Sequence, residues 1–126
     1  MNVKQIIQET VNETIFKLKL SGMLKENTLD TYQKCEELLR NYETIRNSSD
    51  PSAKLLSKKI DDALLTIQND QYYEVIIMYY IKGMSREYIA DLYNTTGTTI
   101  TRNKARLIDK LKVILFTDDY IHELFS

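Results

Sequence analysis

Ser85-Arg86-Glu87-Tyr88-Ile89-Ala90-Asp91-Leu92-Tyr93-Asn94, continuing as Thr95-Thr96-Gly97-Thr98-Thr99-Ile100-Thr101-Arg102-Asn103-Lys104-Ala105-Arg106-Leu107-Ile108-Asp109-Lys110-Leu111, is the stretch that decides the fold. Ser85 is a suitable N-cap for a short helix, Arg86 to Tyr93, with Ile89, Ala90 and Tyr93 turned inward. Ala90 supplies a small residue where a second helix can cross closely. Four positions later Asn94 stands where the turn needs positive φ, which Asn tolerates better than most residues. Thr96 then caps a longer helix, Gly97 to about Phe116, with Ile100, Leu107, Ile108, Leu111, Ile114 and Leu115 on one face. Two helices joined by so short a turn bury their shared face and leave one helix projecting, the arrangement of a helix-turn-helix.

Outward from this unit the apolar spacing stays helical, so the chain is expected to be all-α. Val3, Ile7, Val11, Ile15 and Leu18 step by three or four, giving a first helix to about Leu20 that ends at Ser21-Gly22. Asn27 or Thr28 is expected to cap a second helix, with Leu29, Tyr32, Cys35, Leu39, Tyr42 and Ile45 on its face. Asn47-Ser48-Ser49-Asp50-Pro51 is the candidate hinge, since Pro51 can start a helix but not sit inside one. A third helix carries Leu56, Ile60, Ala63, Leu64 and Ile67. Asp70 is expected to cap a fourth, Gln71 to Lys82, closed by Gly83. Its run Val75 to Ile81 suits a strand by composition, but its cap, length and helical neighbours decide for a buried helix. A last turn or two from Asp118 to Phe125 is expected, because Asp118 and Asp119 suit a helix N-terminus. The division is an N-terminal helical region, residues 1–69, and a helix-turn-helix module with a short terminal helix, residues 70–126.

Composition agrees. With 3 Gly and 1 Pro in 126 residues there is little material for hairpin turns, and 43% hydrophobic residues suffice for a core. One cysteine, Cys35, excludes an internal disulfide and a multi-cysteine zinc site. It lies on the apolar face of its helix and is expected to be buried. No apolar run is long enough to cross a membrane, and the N-terminus does not read as a signal peptide, so a cytoplasmic protein is expected. His122 stands alone in an acidic tail, and no metal or cofactor is expected. No nucleophile–His pairing and no Gly-rich phosphate loop is present, so the chain reads as a non-enzyme.

The segment from Ser85 to Leu111 resembles region four of the bacterial sigma factors, and more closely phage regulators of the ArpU and RinA type. Tyr72 to Tyr80 resembles the helix that precedes that module. The resemblance covers about Asp70 to Phe116; residues 1–69 share only helicity and approximate length. It implies a phage or prophage transcriptional regulator that binds double-stranded DNA through the second helix. The N-terminal helices would then form a homodimer or meet RNA polymerase. Two positions depart from the pattern. Asn103 stands where an apolar residue is usual, and Gly97 replaces a long polar residue, which suggests close approach of the helix N-terminus to a phosphate.

On a wheel at about 100° per residue, with Ile100, Leu107 and Leu111 inward, Thr98, Arg102, Ala105 and Arg106 face outward and Thr101 lies on the flank. Arg102 is the candidate for direct readout, because a guanidinium can chelate the O6 and N7 edge of guanine. Thr98 and Thr99 can meet a thymine methyl or a phosphate, and Lys104 and Arg106 the backbone. Ser85, Arg86 and Gly97 complete the set of expected DNA contacts. The whole chain carries a formal charge of −1, which by itself argues against a nucleic-acid partner. Its distribution reverses that argument. Lys82 to Lys112 holds seven basic and three acidic residues, net +4, between a body of net −2 and a tail of net −3. Tyr72, Tyr73, Tyr79 and Tyr80 read as a core stripe with hydroxyls at its rim. The alternatives are a phage DNA-packaging small subunit and a helix-turn-helix used for protein interaction.

Overall fold

The computed structural model describes residues 30–117, and Val3 besides. These residues form six α-helices and one π-helical stretch, with no strand among them. The fold is all-α. The expected first helix beyond Val3, the caps Asn27 and Thr28, Leu29, and the turns from Asp118 to Phe125 with His122 lie outside the described residues.

Helix α1, Thr31–Arg40, begins where Asp30 and Gln33 form a reciprocal cap. Asp30 accepts the Gln33 backbone N–H at 2.8 Å, and the Gln33 side chain accepts that of Asp30 at 3.1 Å. This pair satisfies two exposed donors at once and marks the start of the helix. The single helix expected to Ile45 is broken at Asn41 (φ −96°, ψ 9°), whose side-chain amide donates to the Glu37 carbonyl at 2.8 Å. An Asn that bonds its own helix backbone competes with the helical ladder. A five-residue α2, Tyr42–Arg46, follows.

Pro51 is the first residue of α3, Pro51–Leu65, and Asp50 caps it by accepting the Ser52 N–H at 2.9 Å. The candidate hinge is thus a capped helix start. Helix α4, Tyr73–Ile76, continues as a π-helical turn, Ile77–Ile81. The expected regular helix from Gln71 to Lys82 therefore starts later and changes pitch. The Lys82 N–H reaches back five residues to the Ile77 carbonyl at 2.9 Å. Gly83 closes the turn at φ +67°. Tyr80 is buried and donates its hydroxyl to Glu36 on α1 at 2.7 Å, while Tyr79 meets Tyr80 edge-on. Tyr80 is thus a core residue, while Tyr72, Tyr73 and Tyr79 are half-buried and pack against the core.

Helices α5, Arg86–Leu92, and α6, Gly97–Phe116, have the caps that the sequence suggests. Ser85 accepts the Tyr88 N–H, and Thr96 accepts that of Thr99. Asn94, at φ +53°, is the one non-glycine residue with positive φ among the described residues. There the Thr95 N–H bonds the Ala90 carbonyl at 2.9 Å and the Asn94 N–H that of Asp91 at 3.1 Å. This double closure is the Schellman end of a helix.

Two apolar clusters hold the helices. The larger joins Cys35, Leu38, Leu39, Ile45, Leu56 and Ile60 to Ile76, Tyr80 and the C-terminal half of α6, Leu107 to Leu115. The smaller joins Val75, Ile89, Ala90 and Ile100. The described part of the N-terminal region thus shares its core with the C-terminal region. Burial pushes the Cys35 thiol up to about 12, so Cys35 packs as a small apolar side chain.

The turn supplies a direct test of the backbone argument. Asn94→Gly is expected to leave stability unchanged or slightly raised. Asn94→Val should cost about 1–2 kcal/mol, because a β-branched residue is strained at positive φ. Urea unfolding of the two variants measures the difference.

Candidate nucleic-acid interface

Helix α6 presents the first half of its length as a free surface. Thr98, Thr101 and Arg102 are exposed there, alongside exposed Ser85 and Arg86 at the start of α5. The second cluster places these two helix starts side by side, since Ile89 and Ala90 of α5 pack against Ile100 of α6. Ser85 Oγ is engaged as the cap of α5. Thr99 is half-buried and engaged in the cap of α6, with Thr96 Oγ1 3.1 Å from its hydroxyl.

Arg86 bridges the two helices. Its Nη1 donates to Thr101 Oγ1 at 3.3 Å, and its Nε and Nη2 reach Glu87 Oε1 at 3.2 Å. Gly97 makes this path possible. A Cβ there would sit 2.9 Å from Arg86 Nε and 3.2 Å from its Cζ, closer than side-chain contacts allow. The sequence suggested that Gly97 leaves room for a phosphate. In the structure the Arg86 side chain occupies that room.

Lys104 and Arg106, both expected at the DNA backbone, are engaged in contacts within the chain. Lys104 is four residues from Ile100, hence only about 40° from the inward direction. Its Nζ lies 4.0 Å from the ring centre of Tyr79, a cation–π contact on the core side of the helix. Arg106, expected outward, turns along the flank to Asp70. Its two terminal nitrogens donate to the two Asp70 oxygens at 2.8 and 2.9 Å, across 36 residues of sequence. Such a fork fixes orientation as well as distance.

Asn103 belongs to the same network. Its Oδ1 accepts from Arg106 Nε and Nη2 at 3.3 and 3.2 Å, and its Nδ2 donates to the Thr99 carbonyl at 2.9 Å. Asn103 is therefore a support for the Arg106 guanidinium. Asp70 also accepts the Tyr72 backbone N–H at 2.9 Å, so one carboxylate ties the approach to α4 onto α6. Sequence reading assigned Asp70 only a capping role and missed both this pairing and the Tyr79 seat for Lys104. Neither has a local signature, because each joins residues distant in the chain.

The outward surface reduces to Arg86, Thr98, Thr101 and Arg102. Among the described residues Arg102 has no ion-pair partner, and no group of three or more His, Cys, Asp and Glu gathers where a metal could sit. No described helix is long and apolar enough to cross a membrane. No family model matches the chain, and no curated protein or solved structure matches it.

The Arg106 hydrogen bonds hold the Asp70 carboxyl at about 2, below its ordinary 3.8, with the Tyr72 N–H adding to the effect. A depressed carboxylate stabilises the fold fully above its ordinary value, and that contribution is lost as the pH falls through about 2. Asp70→Asn is therefore expected to lower stability at pH 7 and to flatten the loss of stability between about pH 4 and 2. Thermal unfolding across that range, compared with the unchanged chain, checks the slope.

Proposed function

We propose that the protein is a sequence-specific transcriptional regulator, of phage or prophage type, that binds double-stranded DNA through α6. The observation that carries this reading is the exposed face of Thr98, Thr101 and Arg102 on a helix clamped from behind, with exposed Arg86 of α5 beside it. Three side chains on a helix that projects past a short turn, with Arg86 of α5 beside them, suit a major groove, which admits one α-helix. The clamp supports the reading physically. Lys104 on Tyr79 and Arg106 on Asp70 hold α6 on its two flanks and favour one orientation of its outer face.

In this reading Arg102 contacts a base edge and Thr98 and Thr101 meet a methyl group or a phosphate. Arg86 contacts the backbone, releasing Glu87 as phosphate takes its place. Lys104 and Arg106 act by positioning the helix. RNA polymerase is a further proposed partner of the helical body. Local charge of net +4 between Lys82 and Lys112 attracts the duplex, while the acidic remainder limits binding to unrelated sequences.

Selection from a random DNA pool, followed by gel retardation, tests the proposal. A single enriched motif is expected, and failure to retard any fragment at low salt would refute DNA binding. Arg102→Ala should weaken the selected site by about 1–3 kcal/mol and relax preference at one base position. Arg86→Ala should weaken all sequences alike and reduce the salt slope by about one. Gly97→Ala should mimic Arg86→Ala with little loss of stability, since it displaces the end of a flexible side chain. A multi-subunit ring in light scattering would favour DNA packaging instead.

A further inference from the structure

Helix α6 has a second surface with a different character. Where its C-terminal half passes the end of α3, Thr66, Ile67, Asp109, Lys110, Val113 and Ile114 line a largely apolar groove of about 450 Å³. Ile67 is buried at 5% exposure, whereas Val113 and Ile114 stand 59% and 39% exposed. Both face outward from the same helix that supports the DNA-facing surface, at its opposite end. Two branched apolar side chains beside an open groove have no role in the core described above.

The chain itself carries a surface of matching chemistry. Residues 1–29 precede α1, and within them Val3, Ile7, Val11, Ile15 and Leu18 repeat at helical spacing. A helix of sixteen residues would carry such a stripe over about 24 Å. Its first member, Val3, is helical and 72% exposed. The point where this segment joins the body is close to the groove. Tyr32, in the first turn of α1, lies with its ring 6.0 Å from Lys112 Nζ, and Lys112 pairs at 3.1 Å with Asp109 on the groove wall. The segment is thus tethered beside a groove whose Val113 is open, while its own first apolar residue is open as well.

We infer that the groove is the seat of the N-terminal stripe of a second copy of this chain. Val3 of the stripe and Val113 of the groove both stand open within one chain. A second copy satisfies both when each stripe enters the other's groove, a reciprocal two-fold arrangement. Reciprocity also meets the size requirement. Stable interfaces bury about 800 Å² on each partner, more than one short groove offers, and two seatings supply twice that of one. The arrangement leaves Arg86, Thr98, Thr101 and Arg102 uncovered, because they occupy the other end of α6. It stands independently of the DNA reading.

Sedimentation of the full chain across the micromolar range tests the proposal. A dimer is expected for the unchanged protein. Val113→Glu, and separately Ile7→Glu, should each raise the dimer dissociation constant roughly a hundredfold or more, since each puts an unpaired charge in an apolar contact. Circular dichroism should show that Val113→Glu retains its helices, and Ile114→Lys serves as a second groove variant. The decisive measurement mixes Val113→Glu with Ile7→Glu. One variant keeps an intact stripe and the other an intact groove, so the mixed dimer regains one of the two seatings and should associate more tightly than either variant alone and more weakly than the unchanged chain. A monomeric unchanged chain would overturn the proposal. So would a mixture that associates no more tightly than either variant alone, which would mean that stripe and groove meet within one chain or elsewhere.

Discussion

One helix has to satisfy two apolar clusters, and that constraint organises the chain. The C-terminal half of α6 buries Leu107, Ile108, Leu111 and Leu115 in the larger cluster, while Ile100 near its start belongs to the smaller. A twenty-residue helix is stiff, so placing one end determines where the other projects. The Arg106–Asp70 fork and the Lys104–Tyr79 contact sit between the two clusters and fix the rotation of the helix about its own axis. Apolar packing alone is non-directional and would set that rotation less sharply.

This division of labour explains why basic residues on one helix behave differently. Lys104 and Arg106 are spent on internal contacts, and Arg102 and Arg86 remain at the surface. A charge count along the sequence treats all four alike. The geometry separates positioning cations from those available to a ligand. It also gives Asn103 and Gly97 a mechanical meaning, one supporting a guanidinium and the other making way for one.

Features carried by neighbours in sequence were legible. Ser85 and Thr96 as caps, Asn94 at positive φ, Ala90 and Ile100 in the crossing, and Pro51 as a helix start all depend on bonds or clashes within a few residues. The break at Asn41 and the π turn at Ile77–Ile81 were not legible from apolar spacing. A spacing of three or four reports which side of a helix is buried, but not whether one side-chain amide interrupts it or one extra residue widens a turn.

By itself, then, the sequence determined that the chain is helical, where the helices from Pro51, Arg86 and Gly97 start, and which helix projects past the short turn. Those properties follow from local dihedral preference and from the period of the apolar residues. Only the tertiary structure decided which polar side chains on that helix face outward. Asp70 and Arg106 are separated by 36 residues, and Tyr79 and Lys104 are also distant in the chain. Whether such side chains meet depends on how the intervening helices pack, and no local preference encodes that angle.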